Sequence, residues 1–175
     1  AAIRHWKQKR FWFNTTSSAL SITDGSTSIV LPVDFLIDIP RHAITITDNG
    51  MTHEVSKVSP VVFDNYANTT STGRPIIYCY RNGTIQIYPT ADRDYTGTIY
   101  YVKEFTDLSG ESDTNDFLDE GLELIRNHAL ADLHGEFRQD EKMEARYLKR
   151  RDDEYTNLLG RTNMLLKTGT LTVEQ

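Results

Sequence analysis

A single cysteine, Cys79, stands among 175 residues, which excludes an internal disulfide framework and a thiolate metal site. Lying within a β-rich run, it reads as a small packing residue. No apolar run approaches the ~20 residues that a membrane-spanning helix needs. Positive charge is not in excess either. The 19 Lys and Arg against 25 Asp and Glu leave a net charge of −6, which argues against a protein whose main work is gripping phosphate backbones. No leader pattern opens the chain, where charges are interspersed with aromatics. The chain reads as a soluble, non-membrane protein made inside the cell.

The usual chemical signatures are missing as well. The five histidines, His5, His42, His53, His128 and His134, include no i, i+4 pair, and no HExxH, CxxC or EF-hand loop is present. There is no glycine-rich phosphate loop and no GxSxG elbow. Carboxylates are plentiful at Asp92, Asp94 and from Asp107 to Asp119, but no spacing singles out a catalytic pair. Nothing asks for a cofactor. The sequons at Asn14, Asn68 and Asn82 mean little without a secretion signal.

The length suits one domain, or one domain with an extension, and 38% apolar with 25% charged residues is ordinary for a globular chain. The clearest local signal is Asn82-Gly83 between two β-rich runs, a two-residue turn that needs φ > 0 at both positions. That turn sets Tyr80 opposite Ile85, Cys79 opposite Gln86 and Tyr78 opposite Ile87. One face then carries Ile76, Tyr78, Tyr80, Ile85 and Ile87 and is expected to meet the core. The other, with Cys79, Gln86 and Tyr88, is expected to be half-exposed or covered by another element.

From Thr15 to Lys103 the texture is β, with turns at Asp24-Gly25, Asp48-Asn49-Gly50 and Asn82-Gly83. Strands are expected near 18–22, 27–31, 43–48, 51–58, 76–81, 84–88 and 96–103, with a loop over 60–75 that has room for one helical turn. Such a run of short strands suggests a small antiparallel sandwich or barrel. Residues 1–13 are basic and aromatic, with Ile3, Trp6 and Arg10/Phe13 at helical spacing. They fit either a packing helix or a cationic segment for an acidic partner.

After Thr106 an acidic linker leads to Thr114 or Asn115 as helix cap. Leu118, Leu122, Ile125, Ala129 and Leu133 recur at helical spacing, with Phe117, Leu124, Leu130 and Phe137 widening the stripe. Asp140 caps a second helix that is expected to end near Gly160, and the short connection makes the two antiparallel neighbours. The fold class is therefore α+β: a β-rich sandwich- or barrel-like part over 15–105 joined to a helical bundle. The bundle comprises an N-terminal helix (1–14) and a helical hairpin behind its acidic linker (106–160). Residues 161–175 read as an extended arm.

The order Gly73-Arg74-Pro75, a hairpin ending Ile87-Tyr88-Pro89-Thr90, and then Thr98-Ile99-Tyr100-Tyr101 resembles tailed-bacteriophage head-to-tail adaptor (connector) proteins. Leu108-Ser109, Asp113-Thr114-Asn115, Leu124-Ile125-Arg126 and Ala129-Leu130-Ala131-Asp132 continue the likeness. So do Phe11-Trp12-Phe13 and Leu31-Pro32-Val33-Asp34-Phe35 near the start. It spans roughly 10–160 and rests on collinear order rather than on one motif. The chain departs from the family in having little helix before its first strand.

The resemblance implies a non-enzymatic virion protein at the head–tail junction, made in the host cytoplasm. It implies a ring of about twelve copies under the portal protein, joined to tail or nozzle proteins, with DNA passing through without sequence-specific binding. Trp6, Phe117, Leu124, Tyr147 and Tyr155 are then candidates for the ring interface. Leu165, Leu166, Leu171 and Val173 are candidates for docking on the portal or a neighbouring subunit by adding a strand to a sheet edge. A monomeric β-sandwich module binding a glycan or protein ligand is the alternative, and a carboxylate hydrolase is a third reading. The first of these needs aromatics gathered in a groove, the second a cleft with a perturbed pair.

Overall fold

A computed structural model describes residue 6 and residues 9–39, 42–67, 70–105 and 114–166. It divides into a β unit, Thr16–Lys103, and a helical unit built from Ala1–Thr15 and Glu104–Gln175. The class is α+β, as the texture of the sequence implies.

The β unit holds β1 (Thr15–Ile22), β2 (Ser28–Ile29), β3 (Phe35–Asp38), β4 (Ile44–Asp48) and β5 (Met51–Lys57). Helix α1 (Pro60–Ala67), β6 (Ile77–Arg81), β7 (Thr84–Tyr88) and β8 (Tyr95–Lys103) follow. All eight strands join one sheet in the order β1-β8-β4-β5-β6-β7-β2, with β3 also paired to β8. The two end strands supply Leu20, Ile22 and Ile29 to the same core as Ile44, Tyr78 and Ile99. The sheet therefore curls around one interior as a near-barrel. One parallel pairing of strands, Ser56 with Ile77 and Lys57 with Tyr78, joins its halves, with α1 in that crossover, and an isolated parallel bridge links Thr72 and Thr90.

The hairpin register is as expected: Tyr78 with Ile87, Cys79 with Gln86 and Tyr80 with Ile85. Asn82 and Gly83 both take positive φ, 51° and 77°. Its faces are only partly as expected. Tyr78, Ile85 and Ile87 are buried, but Ile76 and Tyr80 are each 47% exposed. On a curling sheet only the middle of β6 reaches the core. The opposite face is covered: Ile77 and Cys79 pack with Phe63 of α1. Burial pushes the Cys79 thiol up, in keeping with a packing role.

Strand β3 lies where no strand was expected, and hydrogen bonds pin it. The Tyr78 hydroxyl donates to Asp38 Oδ2 at 2.6 Å, Lys57 Nζ donates to Asp38 Oδ1 at 2.7 Å, and the Tyr101 hydroxyl donates to Asp34 Oδ1 at 2.7 Å. Burial first, then the bond to Asp34, pushes Tyr101 up to about 12. Burial and the bond to Asp38 push Tyr78 up as well. Both groups hold their proton more tightly folded than unfolded, where a tyrosine titrates near ~10. Their contribution is thus complete below about pH 10 and is lost as the pH rises towards 12. The midpoint of denaturant unfolding is expected to hold up to about pH 10 and then fall, with a smaller fall in Tyr101→Phe.

The helical unit contains a 3₁₀ turn (Trp12–Asn14), α2 (Asp116–Asp132), a wider π-helical turn (Leu133–Phe137) and α3 (Glu141–Leu165). Asn115 Oδ1 accepts from the Leu118 amide and Asp140 Oδ1 from the Met143 amide, so both expected caps are in place. Along the hairpin Arg161 lies 3.6 Å from Glu120, while His134 stacks on Tyr147 with centroids 5.4 Å apart. The start of α2 thus meets the end of α3, and the helices are antiparallel.

Two boundaries differ from expectation. A continuous N-terminal helix does not reach Phe13, because Phe11 is extended (φ −124°, ψ 165°) and Asn14 folds back. The Asn14 Oδ1 accepts from the Phe11 amide at 2.7 Å and its Nδ2 donates to the Lys9 carbonyl at 2.8 Å. Fully buried by these bonds, Asn14 offers no glycan acceptor in the folded chain. The Ile3 end of that segment lies outside the described residues. At the other end α3 does not stop at Gly160 but runs to Leu165. Thr162 is buried beyond it, its hydroxyl donating to the Leu158 carbonyl at 2.8 Å, so packing continues where the glycine suggested a stop.

Candidate docking surfaces

The core of the helical unit is aromatic. Phe117 has the rings of Phe11, Phe13 and Phe105 at 5.8, 5.7 and 5.2 Å. Trp6 packs on Tyr155 at 4.8 Å, and its indole N–H donates to His128 Nδ1 at 3.0 Å. Leu124 and Leu158 complete the cluster. The guanidinium of Arg161 lies over the Trp12 ring at 4.3 Å.

The five residues considered for a ring interface therefore do not share one surface. Trp6, Phe117 and Leu124 are inside this core, Tyr155 is half-buried at its edge, and Tyr147 is half-buried beside His134. Their side chains position the helices and offer a neighbour little to touch. Leu165 is 60% exposed at the end of α3, Leu166 caps that helix, and Leu171 and Val173 lie outside the described residues.

The expected apolar stripe of α2 is present, and it divides between the core and the surface. Leu122 is 51% and Leu133 38% exposed, Ala129 is exposed, and Leu118 and Ile125 are half-buried. The side that meets the core carries Phe117, Gly121, Leu124, Asn127 and Ala131 instead. Of the residues that widen the stripe in the sequence, Phe117 and Leu124 are the ones that reach the core.

Between α2 and α3 a shallow cleft of about 280 Å³ is lined by Glu123, Asn127, Arg150, Asp153 and Glu154. Among the described residues no group of three His, Cys, Asp or Glu is placed to hold a metal ion. The arrangement offers carboxylates beside a guanidinium, suited to polar contact with a protein surface. In the β unit Tyr78 and Tyr101 are buried and Tyr80 and Tyr100 exposed, with Tyr80 and Tyr101 both packing on Phe35, at 6.3 and 5.5 Å between centroids. No helix among the described residues is long and apolar enough to cross a membrane.

No curated protein matches the chain. The family model described as SU10 adaptor protein matches residues 1–172, nearly the whole sequence and both structural units. An aromatic-cored helical hairpin, a β unit set between its two sequence segments, and outward apolar surface are thus the form that one family takes here: the chain belongs to the SU10 adaptor proteins, a family of phage head-to-tail adaptors.

Proposed function

We propose that the chain acts as a ring of about twelve copies beneath the portal vertex, joining capsid to tail and passing DNA through its centre. Membership of an adaptor family, which works with other virion proteins at the head–tail junction, carries this reading. The net charge of −6 is in keeping with a conduit, since like charge keeps a duplex from adhering while a basic lining would release counterions and hold it. The role is structural and needs no catalytic group. The C-terminal end, Leu165, Leu166, Leu171 and Val173, docks on the portal or a neighbouring subunit.

Light scattering of the full chain, alone and mixed with portal particles, tests the reading. The expected result is a ring or a portal-bound assembly, with binding weakened at least about tenfold when residues 167–175 are removed. A chain that stays monomeric and ignores the portal overturns it.

A further inference from the structure

The two hairpin helices have unlike outer faces. On α3 the positions turned away from buried Leu158 include Lys142, Arg146, Lys149 and Asp153, all exposed, as on an ordinary solvent face. On α2 and the turn after it, Leu122, Ala129 and Leu133 are exposed on the side away from Phe117, Leu124 and Ala131, flanked by half-buried Leu118 and by Ile125, which packs at the core's edge. The line continues to Phe137, which is 78% exposed. Scattered exposed leucines are common, but a stripe along a whole helix of 17 residues, about 25 Å long, is a surface that something covers.

We propose that this stripe of α2 is the contact with a second copy of the chain, and that it packs on the N-terminal half of the partner's α3. Charge selects this occupant. Asp119, Glu123 and Glu136, all exposed, border the stripe; of the basic neighbours, Arg126 is held by Glu123 at 3.3 Å and Arg138 adjoins only its Phe137 end. Two such stripes facing each other would set acid against acid. The complementary surface lies on the first turns of α3 in the same helical unit: over 141–150 exposed Lys142, Arg146, Lys149 and Arg150 outnumber exposed Glu141 and half-buried Glu144, while Asp152 and Asp153 follow in the next turn. Exposed Ala145 is the apolar position among them. A contact between two different patches of one chain is heterologous, so it propagates and closes into a ring where the rotation allows. The inference rests on the ring reading above and names its contact.

The test uses the full chain, whose own Cys79 is wholly buried. Wild type, measured by sedimentation over a micromolar-to-millimolar series, is expected to associate. Leu122→Ser with Leu133→Ser is expected to weaken association by about a hundredfold with an unchanged circular dichroism spectrum, since both side chains are exposed in the single chain. Ala129→Cys and Lys149→Cys chains, treated with a short bismaleimide, are expected to cross-link when mixed and not separately. Cross-linking of Ala129→Cys chains to each other would mean a like-to-like contact and would overturn the proposal. Association that survives the double serine change, without cross-linking of the mixture, overturns the proposal and leaves the ring standing. A wild-type chain that is monomeric throughout the series overturns it whatever the portal does. If portal particles then assemble that chain, the ring reading survives; if they do not, both fall.

Discussion

Phe117→Ala is expected to cost about 3–5 kcal/mol, the largest loss from any single truncation in the helical unit. Phe117 is completely buried and meets rings from Phe11, Phe13 and Phe105, which come from both sequence segments of that unit. Removing it opens a cavity that the neighbouring aromatics, with Phe11 stacked on Phe13 at 5.1 Å, cannot collapse to fill. The chain provides a selective probe, because its two tryptophans, Trp6 and Trp12, both belong to the helical unit. Denaturant unfolding followed by tryptophan fluorescence should show the lowered midpoint. A shift worth under about 1 kcal/mol would mean that the cluster is not the packing centre described here.

Gly97→Ala is the corresponding test of the β unit, with an expected cost of about 3 kcal/mol or more. Gly97 sits on β8 opposite Ile46 of β4, and a Cβ there would lie 2.0 Å from the Thr45 carbonyl oxygen. Backbone is the obstacle, so no rotamer change relieves it and the β4–β8 pairing must separate. Far-ultraviolet circular dichroism during denaturation reads the loss. Stability equal to wild type would show that β8 does not approach β4 this closely.

The sequence was most legible where local chemistry is self-sufficient. Asn82-Gly83 sets the register of its hairpin without help from elsewhere, and Asn115 and Asp140 cap helices through bonds within a single turn. Strand β3 is of the other kind. Its four residues, Phe35–Asp38, show no clean alternation, and they become a strand through pairing with Tyr101 to Lys103, far along the chain. The helix α1 was allowed for as one turn, and it is longer because Phe63 finds cover over Ile77 and Cys79.

The candidate surface shows a subtler limit. A helical period gives the spacing of a stripe but not its phase relative to the core. The α2 sequence offers two apolar lines, and the cleaner one, Leu118 to Leu133, faces out. The inner line is interrupted by Gly121, Asn127 and His134, all buried, so it reads as the more polar side. What decides between them is the aromatic cluster from residues 6–13 and Phe105, which hydropathy along α2 does not register. A core-facing line and an exposed one share the same helical period, so spacing alone does not tell them apart.

The division of the helical unit into Ala1–Thr15 and Glu104–Gln175 has a consequence for synthesis. As the chain leaves the ribosome, Trp6 and Phe11 emerge before the β unit, but their partners Phe117, Leu124, Tyr155 and Leu158 follow only after the whole of it. The β unit can complete its sheet first, whereas the helical core closes last, across a wide sequence gap. The outward stripe of α2 therefore takes its final form only after the last helix has been made. Incomplete chains would lack the surface through which finished copies could join.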